Sequence, residues 1–236
     1  MFRLRAFLAI LASLAALRSA SADDVGFLKS ERKGDKGAVE QEVFPYMPRE
    51  GDLIFYDDRH PVWSALFAFA GTGSPLHMGI VVKKPGGKLA VLEAGPDDSV
   101  RVKLLDIEKR LPQFHNDFKG LIQVRRCKKM LAEEDSKALT KFAVAQDGKG
   151  YAVGRLLLQG TPFRERGRKD DLAKGKTILD RDRWICSELA VAAGTVAKLF
   201  DPKAVHSNVA YPRDLVDNAR HDLSGSWHNA AVWVPK

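Results

Sequence analysis

Between Leu76 and Ala94 the chain carries two largely apolar runs, Leu76 to Lys83 and Lys88 to Ala94, separated by Pro85-Gly86-Gly87. A break that short folds the second run back on the first, so this segment demands an antiparallel hairpin. Asp52 to Tyr56 has strand composition after the turn signal Pro48-Arg49-Glu50-Gly51. Further strands are expected at Ser99 to Leu104 and Gly120 to Arg125. Glu133 to Gln146 places Leu139, Phe142, Ala143 and Gln146 at helical spacing and reads as an amphipathic helix packed on that sheet. Trp63 to Ala70 reads as a short helix closed by Gly71-Thr72-Gly73-Ser74-Pro75.

From Trp184 the pattern is apolar again, with Leu189, Ala193, Val196 and Phe200 on one face and Pro202 just beyond the end. The spacing predicts a buried helix whose first turn holds Cys186. Gly194 in its interior, which costs up to about 1 kcal/mol of helix propensity, predicts close packing against a neighbour. A short helix near Pro212 to Ala219 and a strand near Trp227 to Val234 complete the chain. Strands that are followed by helices, with no repeats, define an α+β order rather than alternating βαβ units.

The first residues, MFRLRAFLAILASLAALRSASA, set Arg3 and Arg5 before an apolar run from Ala6 to Leu17 and end in small residues at Ala20-Ser21-Ala22. That is the pattern of a cleavable secretory signal. The competing reading, a membrane anchor, needs roughly 20 apolar residues. The expected organisation is a signal peptide over 1–22, a charged flexible arm over 23–45 and a single domain over 46–236. The protein is then exported, periplasmic or extracellular, with no stable membrane span after cleavage. Removing Arg3, Arg5 and Arg18 lowers the formal net charge from +8 to about +5, which suits anionic surroundings such as cell-wall polymers or phospholipid headgroups. A nucleic-acid reader would show a known module or aromatics interleaved with a basic stripe, and neither occurs. Gln159 to about Arg183, dense in charge and glycine, is expected to be a mobile surface loop, either a lid or a bystander.

A thiol attacks as thiolate, and the positive end of a helix favours that form. Cys186 is therefore the candidate nucleophile, although buried cysteines are common without any such role. In an oxidising compartment a disulfide to Cys127, the other cysteine, is the structural alternative. A nucleophilic cysteine needs an imidazole within reach. Of six histidines, His77 opens a strand, His77-Met78-Gly79-Ile80-Val81-Val82, in which Gly79 permits close approach. Its tautomer needs a partner, and Glu93 stands in the apolar strand expected to pair with it. Across such a ribbon side chains on one face come within roughly 5 Å. The alternative for Glu93 is an edge position facing water. Asp52 is expected to bond its own turn, and Glu188 to sit as an anion at a helix start. His60, His115, His206, His221 and His228 show no compact metal spacing, so no metal or cofactor is expected.

GDLIFYD at Gly51 to Asp57, SPLHMGIVV at Ser74 to Val82, VLEAGP at Val91 to Pro96 and WICSELAVAAG at Trp184 to Gly194 together resemble the circularly permuted, YiiX-like branch of the NlpC-type papain-fold superfamily, which includes relatives of lecithin retinol acyltransferase. The resemblance implies a papain-like fold in which the histidine strand precedes the cysteine helix. It also implies a catalytic set of His77, Glu93 and Cys186. The implied activity is a cysteine peptidase, amidase or acyltransferase acting on cell-wall peptides or lipid acyl groups. The rival is a non-catalytic module holding a lipid or peptide in the same cleft.

Overall fold

The computed structural model of the protein describes residues 24–33, 39–58, 61–69, 71–95, 99–158, 161 and 178–236. The signal-like leader, His60 and most of the charged 159–183 stretch lie outside the described residues. Eight strands form one sheet: β1 (Phe27–Lys33), β2 (Val39–Pro45), β3 (Leu53–Asp57), β4 (His77–Lys83), β5 (Leu89–Ala94), β6 (Val102–Asp106), β7 (Leu121–Arg125) and β10 (Ala231–Val234), in the order β2-β1-β10-β7-β3-β4-β5-β6. Every neighbouring pair is antiparallel. A short parallel pair, β8 (Gly150–Tyr151) with β9 (Arg183–Trp184), stands apart from it.

Helices cover both faces. On one face, α3 (Glu133–Gln146) and α5 (Cys186–Val196) bury Leu139, Phe142, Leu189 and Ala193 against Phe55, Met78, Ile80 and Leu92. On the other, α2 (Ile107–Phe118) buries Ile107, Leu111 and Phe114 against Tyr56, Val81 and Val91. Because β3 lies between the two layers, all five of its residues are buried, which is why it reads as a continuous apolar run. The shorter helices are α1 (Pro61–Phe69), α4 (Val153–Leu158) and α6 (Pro212–Val216). Among the described residues no helix is long and apolar enough to cross a membrane.

The α+β class, the hairpin, β3 and the 133–146 helix stand where the sequence placed them. Gly194 does pack closely, since a Cβ there would meet Phe200 Cδ2 at 2.5 Å. Phe200 itself lies past the end of α5 and folds back on it. Three expectations are corrected. The charged arm contains β1 and β2, whose seven-residue pairing runs from Phe27↔Pro45 to Lys33↔Val39 and docks on β10. Its backbone bonds and the buried Leu28 outweigh its polar composition. The third strand begins at Val102 rather than Ser99. An additional helix, α2, follows it, although Pro112 stands inside.

Candidate active site

His77 is the first residue of β4, and its ring lies beside that of Tyr56, its register partner on β3, with centroids 5.5 Å apart. On the other side, β5 pairs Gly79 with Glu93, so Glu93 is the diagonal neighbour of His77 on the same sheet face. Glu93 Oε2 lies 2.9 Å from His77 Nε2. The water-facing alternative for Glu93 is overturned: β6 covers β5 on its outer side, and the residue is fully buried.

Helix α2 reaches over the same spot. Arg110 Nε donates to Glu93 Oε1 at 3.0 Å and Nη2 donates to Oε2 at 2.9 Å, while the Tyr56 hydroxyl donates to Oε1 at 2.6 Å. Neither Arg110 nor Tyr56 stood out in the sequence. Arg110 nonetheless shares the apolar stripe of Ile107, Leu111 and Phe114, and a charge on such a stripe needs a buried partner.

Cys186 enters from the opposite layer as the first residue of α5, buried with Ile185 and Ala152. The approach is set by β9 and by Ala152 N–H donating to Trp184 O at 2.9 Å. Glu188 Oε2 accepts from Ile185 N–H at 3.2 Å and from Arg155 at 2.7 Å, which matches its expected place at the helix start. The Cys186 thiol lies near enough to the His77 imidazole to shift its titration. The structure thus pairs His77 with Glu93 within one hairpin and sets Cys186, from a distant part of the chain, near His77.

The electrostatics follow from these contacts. Burial disfavours a charged His77, but its interactions with Cys186 and Glu93 outweigh this and raise its pKa to about 9. Burial likewise disfavours the Glu93 carboxylate, yet Arg110 and His77 hold its pKa down at about 2. An ionised Glu93 can only accept, so Nε2 of His77 carries the hydrogen and the other ring nitrogen is left for the thiol.

Cys127 is a free thiol, as is Cys186, so the disulfide alternative is not formed. Cys127 packs beside Gly51 in the main core and donates to Lys129 O at 3.3 Å. Burial raises its pKa. Asp52 does accept from its own turn, from Arg49 N–H at 3.1 Å, and takes two further donors, the Tyr46 hydroxyl at 2.9 Å and Cys127 N–H at 2.7 Å. Among the described residues, no group of three or more His, Cys, Asp and Glu is placed to hold a metal ion.

No protein-family model matches the chain, and no curated protein does. Among solved structures, the crystal structure of the metalloprotein yiiX from Escherichia coli O157:H7 is similar to 81% of this chain and 99% of its own, with 18% identity and a TM-score of 0.45.

Proposed function

We propose that the protein is an exported cysteine hydrolase or acyltransferase, built on a permuted papain-like arrangement in which the histidine strand precedes the cysteine helix. The observation that carries this reading is the His77 imidazole, bonded to a buried, ionised carboxylate and lying near a thiol at a helix start. In this mechanism the Cys186 sulfur, as thiolate, attacks a carbonyl carbon. The negative charge that develops on the oxygen is met by the Cys186 N–H, one of the unpaired donors of a helix start. Collapse expels the amine or alcohol, which takes its proton from His77. Water, or an acceptor alcohol or amine, then gives a proton to His77 and attacks the thioester, and the thiol is regenerated.

A cavity of about 280 Å³ beside His77 bears on the substrate. Phe67, Leu76, Phe114, Tyr151, Leu156 and Leu157 line it beside Asp58 and Arg110, so most of its wall suits an apolar group. This favours a lipid acyl group over a cell-wall peptide. The deciding experiment incubates the chain from Asp23 onward with phospholipids and, separately, with purified muropeptides, and reads new products by mass spectrometry. Fatty acid release or acyl transfer that is lost in Cys186→Ala is expected. Muropeptide cleavage instead would reverse the substrate choice. Turnover that survives Cys186→Ala would overturn the mechanism.

A further inference from the structure

We propose that Arg110 is the positioning residue of this site: its guanidinium locks the Glu93 carboxylate in one orientation, and through Glu93 it keeps the His77 imidazole directed at Cys186. The inference rests on the reading of Cys186 and His77 as the reacting pair.

Glu93 has no exposed surface, so water cannot solvate its charge. A carboxyl buried without a cation takes up a proton and then ceases to be a reliable acceptor. Arg110, itself 1% exposed, prevents this with a two-pronged contact in which one N–H goes to each oxygen. Such a fork fixes the plane of the carboxylate, which a point-like ammonium cannot do. The Tyr56 hydroxyl occupies Oε1 as well, so turning the carboxylate out of this plane would break four bonds, the one to His77 included. Oε2 is thereby turned toward His77.

Arg110 is held in turn. Its Cζ lies 5.0 Å from the Tyr56 ring centroid and 5.5 Å from that of Phe114, a stacked environment suited to a planar cation. The charged and titratable groups that face this cluster come from each surrounding element. They are Tyr56 on β3, His77 on β4, Arg110 on α2 and Cys186 on α5. Asp58, just past β3, lines the same cavity, and Lys103, the register partner of Glu93 on β6, is solvent-exposed. Guanidinium, carboxylate and imidazolium therefore alternate in sign along one line of contacts that leads toward Cys186. Removing the first charge weakens each of the following ones.

The test measures His77 and Cys186 directly. In Arg110→Gln, the imidazole titration followed by NMR is expected to fall by one unit or more from its native position near 9. Iodoacetamide alkylation of Cys186 at pH 6 is expected to slow by at least about tenfold, the factor that one pKa unit represents. Arg110→Lys keeps the charge without the fork and should give intermediate values. Native-like curves in a folded Arg110→Gln protein would overturn the proposal. Should that variant fail to fold by circular dichroism, the unaltered protein decides: the Glu93 carboxyl carbon should show no protonation step above about pH 4, and an ordinary carboxyl titration would refute the idea. These readouts need no substrate. A shift without turnover would leave Arg110 in its role and remove the hydrolase reading, whereas turnover with unshifted curves would do the reverse.

Discussion

Gly79 stands directly across the hairpin from Glu93, and a Cβ at Gly79 would lie 2.7 Å from Glu93 Cγ and 2.9 Å from Leu92 O. The missing side chain is what lets the carboxylate lean along the strand toward His77, two residues away. Gly79→Ala is therefore expected to cost about 1–3 kcal/mol, as overpacking does, because one of the clashes is with backbone that cannot rotate aside. Chemical denaturation measures the loss. The same variant should show slower thiol alkylation, since Glu93 is pushed from its place; unchanged stability and reactivity would contradict this view of the hairpin.

The two thiols should behave differently toward a small alkylating reagent. Cys186 lies near an imidazole, whereas Cys127 sits in the main core and its pKa is raised by burial. Brief treatment of the native protein at pH 7 is expected to modify Cys186 and spare Cys127, as read by peptide mass spectrometry. In His77→Gln the selectivity should fall by about tenfold or more.

Removing the charge of Glu93 tests the buried network from its centre. Glu93→Gln removes the carboxylate that takes both prongs of the buried Arg110 fork, so a loss of roughly 3–5 kcal/mol is expected. Tyr56→Phe removes one donor and leaves the ion pair intact, so its cost should be about 1–3 kcal/mol. A thermal or urea series that reversed this order would contradict the central place of the Glu93 charge.

Stability should also depend on pH with a defined sign. His77 has a folded pKa of about 9, above its ordinary 6.5, so its contribution is complete below about pH 6.5 and is lost as the pH rises through 9. One pKa unit corresponds to 1.36 kcal/mol, and a fifth of the side chain remains exposed, so the change is on the order of 3 kcal/mol at most. Asp52 works in the same direction at lower pH. Burial outweighs its three hydrogen bonds and lifts its pKa from 3.8 to about 7, so the fold loses stability as the pH climbs through that interval. Urea midpoints are expected to decline from pH 4 to pH 9, and His77→Gln should flatten the upper part.

Strong local patterns made much of this fold legible. The Pro85-Gly86-Gly87 turn fixed the hairpin, and the hairpin register put His77 and Glu93 on one face; helical spacing located both α3 and the start of α5. What escaped was held by longer-range forces. The 27–45 segment is polar enough to read as an arm, and it becomes two strands because β10, at the far end of the chain, offers an edge to pair with. In α2 the apolar positions 107, 111, 114 and 118 do follow a helical period, but Pro112 conceals it. With that helix unread, Arg110 had no visible reason to meet Glu93.

The pairing of β1 with β10 aligns Phe27 with Val234, and Lys236 forms an ion pair with Asp24 at 2.5 Å. A linker of only a few residues would thus join Lys236 to Asp24 into a closed ring. Cutting that ring at Gly86-Gly87, in the tight bend between β4 and β5 where an added Cβ would meet nothing within 4 Å, would give new termini while leaving every strand intact. Cyclised or re-cut versions of this protein are therefore expected to assemble the same sheet.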